Sequence, residues 1–360
     1  MSLAIHLAEF ALILMFLVLV HEAGHMVVAK WCGMRVERFS IFFGRPIASF
    51  TRGETQYAIG WLPLGGYVKI SGMTPDEDVP GEHAHRTYHR AATWRKVATI
   101  AAGPAVNILL AVVAFTAMFW SGIPTAKLTT TVAQVEVGAP ADAIGLKPGD
   151  RIVAVDGTPV TDPQKLRDII SARPGQRVAV TYVHEGTRVT RTATLRSVQV
   201  DGKPVGRLGF GFGVERGPDE QYGFTRGIGE GLDYSWFVVS ESAQQLGRVF
   251  TSQQAREDIQ SVVGVGAVYN EIADEGISTI LQFIGVLSLA LAIFNLIPFP
   301  PLDGGHILFA LIEKLRGSPL PRAVFERASM VGLALMLLMM VFVVQNDIID
   351  ISNGTVLGPR

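Results

Sequence analysis

Residues 3–29 read LAIHLAEFALILMFLVLVHEAGHMVVA, and this stretch decides the class of fold. Almost every side chain in it is apolar, and roughly 20 helical residues suffice to cross a hydrocarbon core of ~30 Å. No basic segment precedes it and no small-residue cleavage motif follows it, so it differs from a secretory signal peptide. We therefore expect a retained helix that crosses a membrane.

Three more apolar stretches are long enough to cross a bilayer, at residues 97–120, 278–297 and 328–345. Hydrophobic residues make up 49% of the 360 residues and charged residues only 18%, which is unusual for a soluble enzyme. The predicted fold class is membrane α-helical, with four transmembrane helices. The formal net charge of −1 offers no basic surface, so nucleic acid is excluded as a partner.

The distribution of Lys and Arg predicts how the chain crosses the bilayer, because basic loops favour the cytoplasmic side. Ten such residues lie in 30–96 and four lie in 304–327. We expect both segments to face the cytoplasm. The N-terminus, the large segment between the second and third spans, and the C-terminus are then extracytoplasmic.

The segments between the spans differ in character. Residues 40–73 alternate apolar and polar side chains among several glycines, which predicts a membrane-associated β-hairpin or sheet; a cytoplasmic hairpin beside the bilayer is the alternative. Residues 129–214 combine strand-like runs with one helical pattern at 163–172, which predicts a small α+β domain. Residues 227–250 have the pattern of an amphipathic helix lying on the membrane or on the protein. The predicted segments are 1–128, 129–214, 215–277 and 278–360.

The residues most indicative of chemistry are HEAGH, residues 21–25, at the end of the first span. Residues four apart lie on one face of a helix, so His21 and His25 can bind one Zn²⁺. Glu22 points to one side of that pair and is placed to act as a general base on water. Ionisable groups inside a span cost several kcal/mol and usually mark function, so this is a candidate catalytic site.

A catalytic zinc site usually has three protein ligands, so one more is needed. The best candidate is Asp303, which follows Pro298, Pro300 and Pro301; these prolines end the third apolar helix and release backbone carbonyls near the membrane. His306 is a rival ligand, or a supporting residue three positions away from Asp303. Other candidates are weaker: a loop with three histidines, and one cysteine that is expected to pack in the core. These residues are His83, His85, His89 and Cys32.

HEAGH together with residues 295–304, NLIPFPPLDG, resembles the site-2 protease family of intramembrane zinc metalloproteases. Residues 65–69 (GGYVK) and 102–107 (AGPAVN) are similar to two further motifs of that family, and residues 145–157 are similar to a bacterial PDZ domain. The resemblance covers almost the whole chain, and the nearest members are bacterial ones with one extracytoplasmic PDZ domain. One stretch, residues 261–265, departs from the family pattern, which leaves the local turn open.

This resemblance implies a protease of the bacterial cytoplasmic (inner) membrane that cuts transmembrane segments of single-span proteins, such as anti-sigma factors or remnant signal peptides. His21, His25 and Asp303 would be the Zn²⁺ ligands and Glu22 the catalytic base, with the active site toward the cytoplasmic side. Asn107 and Asn295 would hold the substrate backbone or stabilise the oxyanion, or else bond between helices. The remaining residues expected to bind substrate are Gly66, Tyr67, Val68, Pro298 and Pro300.

The PDZ-like domain is expected either to bind peptide C-termini, through a loop at residues 206–210, or to exclude bulky ectodomains. Two other functions compete with proteolysis. A membrane adaptor would use the PDZ-like domain alone and would need neither metal nor Glu22. A metal transporter would use the intramembrane histidines, but such folds usually contain inverted repeats, which this sequence does not show.

Overall fold

The structure is a computed structural model and describes residues 3–73, 81–200, 203–249 and 261–353. The chain divides into two compact units, one made of residues 123–220 and the other of residues 1–122 and 221–360. The helices are α1 (Leu3–Trp31), α2 (Thr93–Ser121), α3 (Pro140–Ala143), α4 (Pro163–Ser171), α5 (Phe224–Val249), α6 (Val262–Ile272), α7 (Ile277–Leu296), α8 (Asp303–Arg316) and α9 (Arg322–Asn353). The strands are β1 (Val36–Arg52), β2 (Thr55–Ile70), β3 (Ile123–Val135), β4 (Arg151–Val155), β5 (Thr158–Pro159), β6 (Arg177–His184), β7 (Thr187–Thr194), β8 (Arg196–Val200), β9 (Lys203–Arg207) and β10 (Phe210–Glu220).

Four helices are long and apolar enough to cross a membrane: α1, α2, α7 and Ala323–Ile349 within α9. They coincide with the four apolar stretches of the sequence, which confirms the four predicted helices. Helix α1 contains 29 residues, and at a rise of 1.5 Å per residue it is roughly 44 Å long, well beyond a core of ~30 Å. Its HEAGH segment lies in the last three turns.

Helices α1 and α2 approach closely because glycine occupies their contact. A Cβ atom at Gly24 would lie 2.7 Å from the carbonyl oxygen of Ala102, so only glycine permits this backbone separation. Leu17 of α1 and Phe115 of α2 are fully buried in the same unit. The ends of α1 and α2 that carry polar residues are therefore held together by backbone packing.

Strands β1 and β2 form a long, irregular antiparallel pair. Ile41 is paired with both Gly66 and Ile59, so the middle of β1 has partners on two sides. The paired strands agree with the β-rich segment predicted at residues 40–73. Several large apolar side chains of this sheet are exposed: Phe43, Ile47, Phe50 and Trp61. Their contact with lipid stays a prediction.

Helix α5 packs along α2 through small residues. A Cβ atom at Gly227 would collide with the Trp120 indole, and one at Gly231 would lie 2.9 Å from the backbone nitrogen of Thr116. Helix α5 therefore lies on the protein. Phe224 at its start stacks on Trp120 at 4.9 Å between ring centroids, and the apolar side chains of Ile228, Leu232 and Trp236 are exposed. Phe250, the last residue of the predicted amphipathic segment, lies outside the described residues.

Helix α6 begins at the stretch that departs from the family pattern. The Ser261 side chain caps this helix by accepting a hydrogen bond from the Val263 N–H (3.1 Å). Asp347 of α9 accepts hydrogen bonds from the backbone N–H groups of Ser261 (2.7 Å) and Gly264 (3.1 Å) and from the Ser261 hydroxyl. A Cβ atom at Gly264 would lie 2.7 Å from Asp347 Cγ. The departure therefore creates a helix N-terminus that a buried carboxylate stabilises.

The segment between α7 and α8 folds back over the first turn of α8. Prolines end α7, as predicted, and α8 starts at Asp303. The next two residues are Gly304 and Gly305, whose Cβ atoms would collide with the backbone of Ile297 and Pro300. Glycine is thus required for the turn that presents Asp303.

The unit of residues 123–220 is rich in β-structure. Its main sheet has the strand order β10-β3-β4-β6-β7, with β5 paired to β4, while β8 and β9 form a separate hairpin. Its core is apolar and includes the fully buried Ile152, Val155 and Leu166. Asp162 caps α4 by accepting a hydrogen bond from the Gln164 N–H (2.9 Å). A groove in this unit is lined by Arg167 and Ile170 of α4, Leu208, and residues 210–212 of β10.

Candidate metal centre

His21, His25 and Asp303 converge on one point although they are separated by up to 282 positions in the sequence. Nε2 of His21 lies 3.1 Å from Nε2 of His25 and 3.1 Å from Oδ2 of Asp303. Nε2 of His25 lies 3.3 Å from the same oxygen. Within the described part of the chain, this is the group of His, Cys, Asp and Glu side chains that could hold a metal ion.

The triangle of these three atoms fits a tetrahedral zinc site. Ligand atoms at ~2.0–2.1 Å from a tetrahedral Zn²⁺ lie roughly 3.3–3.4 Å from each other, close to the three separations observed. Oδ2 of Asp303 is buried and has no hydrogen-bond partner. An acceptor buried without a donor is costly, and a cation at the centre of the triangle removes that cost. The donor set, two imidazoles and a carboxylate, is one that catalytic zinc sites use.

Each histidine also makes a contact through its second ring nitrogen, to α2. Nδ1 of His25 donates a hydrogen bond to the carbonyl oxygen of Thr99 (2.9 Å). Nδ1 of His21 lies 3.3 Å from the side-chain amide of Asn107. Such contacts orient metal-binding imidazoles. Both histidines are buried, so the rings are held from two sides.

Gly103 of α2 provides the space for the two imidazoles. A Cβ atom at this position would lie 2.8 Å from Cε1 of His21 and 2.6 Å from Cε1 of His25. Real Cβ atoms essentially never come within 3.0 Å of such neighbours. The glycine of the AGPAVN motif is therefore required by the site itself.

Glu22 lies beside the histidine pair and next to strand β2. A Cβ atom at Gly66 would lie 3.5 Å from Cγ of Glu22, so the strand passes directly over this side chain. A small cavity is lined by Glu22, Ser40 and Gly66 together with apolar residues of α1. Glu22 directly follows His21 on α1 and is not one of the three residues of the triangle, which is the arrangement that a general base needs.

The other residues of the β-sheet motif contact the sheet itself. The Tyr67 hydroxyl accepts a hydrogen bond from the Arg38 guanidinium (3.2 Å), and its ring stacks on Phe43 at 5.4 Å between centroids. Tyr67 is paired with Ser40, and Val68 is paired with Phe39. The backbone of this segment is therefore fixed on the side of β1.

Asn295, Pro298 and Pro300 lie at the end of α7 and in the turn before Asp303. The Asn295 amide donates to the carbonyl oxygen of Leu291 in the same helix (3.0 Å). Pro298 is exposed and Pro300 is buried. None of the three belongs to the metal-binding triangle of described residues.

His306 lies outside the triangle, and its ring packs on Phe325 at 5.2 Å between centroids. Burial lowers the pKa of His306 below its ordinary value of 6.5; His25 lowers it further, and Asp303 opposes the shift. The three loop histidines and the cysteine are also absent from the metal-binding group found among the described residues: His83, His85, His89 and Cys32. Cys32 is buried in an apolar cluster, as expected.

Two residues of the site, Thr99 and Gly103, were given no role from the sequence, although Gly103 lies in the AGPAVN motif. Thr99 acts through a backbone carbonyl, which leaves no trace in residue type. Gly103 had a detectable signal, because a Gly-Pro pair inside an apolar helix is costly and usually has a packing reason.

A membrane-length helix bundle containing a His, His, Asp triangle with an adjacent Glu defines a metallopeptidase class, and comparison with known proteins identifies the family. The model of peptidase family M50 matches residues 9–339, and the chain belongs to this family. It is therefore a zinc metalloprotease of the site-2 protease type.

Relatives of nearly equal length support this assignment. A Rhizobium meliloti protein named "Putative zinc metalloprotease R01501" is 34% identical over 94% of this chain and 95% of its own length. "Metalloprotease MmpA" of Caulobacter vibrioides is 30% identical over 96% of this chain and 95% of its own length. Among solved structures, the PDZ domain of an SdrC-like protein from Listeria monocytogenes matches 25% of this chain and 90% of its own, with 23% identity and a TM-score of 0.21.

Proposed function

We propose that this zinc metalloprotease cuts peptide bonds inside transmembrane segments of single-span membrane proteins. The observation that carries the proposal is the position of the metal-binding triangle. Two of its ligands lie in α1 and their supports lie in α2, and both helices are long and apolar enough to cross a membrane. A catalytic centre built on such helices acts on segments at the same depth.

The residues have separate tasks in this mechanism. His21, His25 and Asp303 hold the ion, which when bound polarises the peptide carbonyl and makes water more acidic. Glu22 accepts the proton of the attacking water and returns it to the leaving amine, so the carboxylate is regenerated. Helices α1, α2 and α7 exclude bulk water around these groups, which strengthens the electrostatic interactions between them.

A helical substrate must unwind before hydrolysis, because its carbonyl groups are occupied by internal hydrogen bonds. We assign residues Gly66, Tyr67 and Val68 to hold the unwound substrate as an added strand beside Glu22. The approach of Gly66 to Glu22 supports this assignment. Tyr67→Pro and Val68→Pro should impair cleavage while zinc content stays normal; unchanged cleavage in both variants would contradict strand addition.

The segment before Asp303 is assigned to the substrate-binding wall of the site. Pro298 is exposed, and the Asn295 amide keeps one N–H and its oxygen beyond the bond to Leu291. Asn295→Ala should lower the turnover of the substrate without changing zinc affinity. Asn295→Leu also lacks the amide, so it should lower turnover to the same extent if the amide contacts the substrate. Pro300 is buried and is assigned to shaping the turn rather than to direct contact.

We further propose that the enzyme resides in the bacterial cytoplasmic membrane with the active site toward the cytoplasm. The support is the excess of Lys and Arg in residues 30–96 and 304–327. The N-terminus, the β-rich unit and the C-terminus are then extracytoplasmic. Fusions of alkaline phosphatase after residue 122 or 220 should be active, and fusions within residues 304–320 should be inactive; the opposite pattern would reverse the orientation.

The β-rich unit is assigned to the extracytoplasmic part of the substrate. Two roles are separable: capture of peptide C-termini in the groove between α4 and β10, or exclusion of bulky ectodomains. The substitution Ser171→Arg would partly fill the groove, because Ser171 lines it and is only half-buried. If this variant cleaves a short substrate more slowly than the parent, capture is supported. In a second experiment the whole unit is deleted; if the shortened enzyme then cleaves a substrate that still carries its bulky ectodomain, exclusion is supported.

The decisive experiment compares the parent enzyme with Glu22→Gln in cells that co-express candidate single-span proteins. Uncleaved substrate should accumulate only with the variant. Glu9→Gln is the matched control, because Glu9 lies in the same helix but accepts a hydrogen bond from Tyr269 (3.2 Å) instead of lying at the triangle. Equal cleavage by the parent and Glu22→Gln would remove the catalytic assignment, and an adaptor function would then fit better.

A further inference from the structure

The two histidines of the triangle need the same protonation pattern to bind a metal. A neutral imidazole carries one proton, and the nitrogen that binds the metal must be the other one. For His25 the pattern is fixed, because Nδ1 lies 2.9 Å from the carbonyl oxygen of Thr99, which only accepts hydrogen bonds. Nε2 of His25 therefore faces the triangle with its lone pair.

For His21 the pattern depends on the neighbouring amide, 3.3 Å from Nδ1. If the amide nitrogen of Asn107 donates to Nδ1, the ring proton sits on Nε2, which lies 3.1 Å from both Nε2 of His25 and Oδ2 of Asp303. That ring has no lone pair for a metal. If the amide oxygen faces Nδ1 instead, Nδ1 donates to it and Nε2 is free. The hydrogen-bond network decides which end of the amide faces the ring.

A second observation bears on that choice. The Asn107 side chain is fully buried, and its Oδ1 has no hydrogen-bond partner when Nδ2 faces the ring. A half-turn of the amide places Oδ1 where Nδ1–H of His21 can donate to it. The same half-turn therefore gives a buried oxygen a donor and frees the metal-binding nitrogen of His21.

We propose that Asn107 is a positioning residue that holds His21 in the tautomer with the proton on Nδ1, so that Nε2 is available to the metal. The proposal rests on the proposed zinc site, and it gives Asn107 a task other than substrate contact. The Ser288 hydroxyl of α7 donates to the backbone carbonyl of Asn107 (2.9 Å), so it bonds neither the Asn107 amide group nor His21.

The test is zinc affinity, measured on the purified full-length chain in detergent by competition with a chromophoric chelator. Asn107→Leu keeps the size of the side chain but cannot accept the Nδ1 proton, so zinc should bind about 10–100-fold more weakly. Asn107→Asp still accepts that proton, and its zinc affinity should stay within about threefold of the parent value. Ser288→Ala removes a buried hydrogen bond in the same place without touching His21, and zinc affinity should not change.

The outcomes distinguish a failure of the tautomer assignment from a failure of the zinc site itself. Parent-like zinc binding by Asn107→Leu, or equal weakening in Asn107→Asp and Asn107→Leu, would overturn the tautomer assignment. Parent-like zinc affinity in Asn107→Asp would also exclude a purely structural role of Asn107, because a buried carboxylate destabilises a fold unless it accepts a hydrogen bond. A parent protein that binds no stoichiometric zinc, or His21→Ala that binds zinc as tightly as the parent, would refute the metal centre from which the proposal starts.

Discussion

The substitution Gly103→Ala tests whether α2 and the histidine pair are as tightly fitted as the structure shows. The added Cβ atom would lie 2.6 Å from Cε1 of His25 and 2.8 Å from Cε1 of His21. The Cβ atom would also collide with Nε2 of His25, which is nearer than Cε1 of that ring. Ordinary contacts begin at 3.4 Å, so the His25 ring or the helix must retreat by more than about 0.8 Å, and the His21 ring by about 0.6 Å. Both rings are affected at once, because the added methyl group points between them.

The expected magnitude follows from that displacement. Metal–ligand distances tolerate changes of roughly 0.2 Å, so a shift several times larger in two of three ligands should weaken zinc binding by about 100-fold or more. Overpacking of this kind also costs about 1–3 kcal/mol of unfolding free energy. The loss of zinc affinity should therefore exceed what general destabilisation produces.

The assay is zinc affinity by chelator competition, together with thermal unfolding of the zinc-free protein. Gly285→Ala is the matched control, because its Cβ atom would meet Cδ1 of Phe115 at 2.7 Å at the contact between α2 and α7, away from the histidines. The two variants should lose similar stability, and only Gly103→Ala should lose zinc. Parent-like zinc affinity in Gly103→Ala would refute the close fit of α2 to the imidazoles.

Three further predictions concern the framework of the site. Asp347→Ala removes the acceptor of three hydrogen bonds at the start of α6, so denaturant titration in detergent should show a loss of about 2–4 kcal/mol, and a loss below ~1 kcal/mol would contradict it. Lys96→Met breaks the pair with Glu313 (3.0 Å) between α2 and α8, so unfolding free energy should fall by about 2–4 kcal/mol, and adding Glu313→Gln should recover part of it. Hydrogen bonds from the Arg86 guanidinium hold the pKa of Glu54 below 4.5, so this pair stabilises the fold above that pH and the stabilisation is lost as pH falls through the lowered pKa. Glu54→Gln should therefore be about 0.5–1 kcal/mol less stable than the parent at pH 7, and pH-dependent unfolding should show this difference shrinking as the pH falls below 4.5.

Local patterns in the sequence predicted the elements that depend on local physics. The four apolar helices need only length and composition, and helix α4 (Pro163–Ser171) begins where the helical pattern predicted at residues 163–172 begins, because such a pattern depends only on neighbouring side chains. Helix α8 was not predicted as a separate element. It begins with Asp303-Gly304-Gly305 after three prolines, a composition typical of a turn, and glycine is required there by packing against residues 297–300.

At the metal centre, too, the features that follow from local sequence were predicted, and those that depend on contacts with a distant helix were not. His21 and His25 are four residues apart on one helix, so their proximity follows from helix geometry. Asp303 was assigned from its depth in the predicted topology, and the structure brings it within 3.3 Å of both imidazoles. The supports on α2 could not be predicted in detail, because the sequence does not reveal which carbonyl or amide of a distant helix faces a ring.

Three carboxylates of the helical unit, those of Glu9, Asp347 and Asp303, differ in how their oxygens are satisfied. Glu9 and Asp347 accept hydrogen bonds from donors on α6 or at its start, so they are satisfied within the protein. At the triangle, a carboxylate oxygen of Asp303 is buried without a donor and faces two imidazole nitrogens. Burial of acceptors against one another would destabilise the fold unless a cation joins them, so the carboxylates of Glu9 and Asp347 stabilise the packing of α6, whereas the burial of Asp303 supports the proposed metal centre.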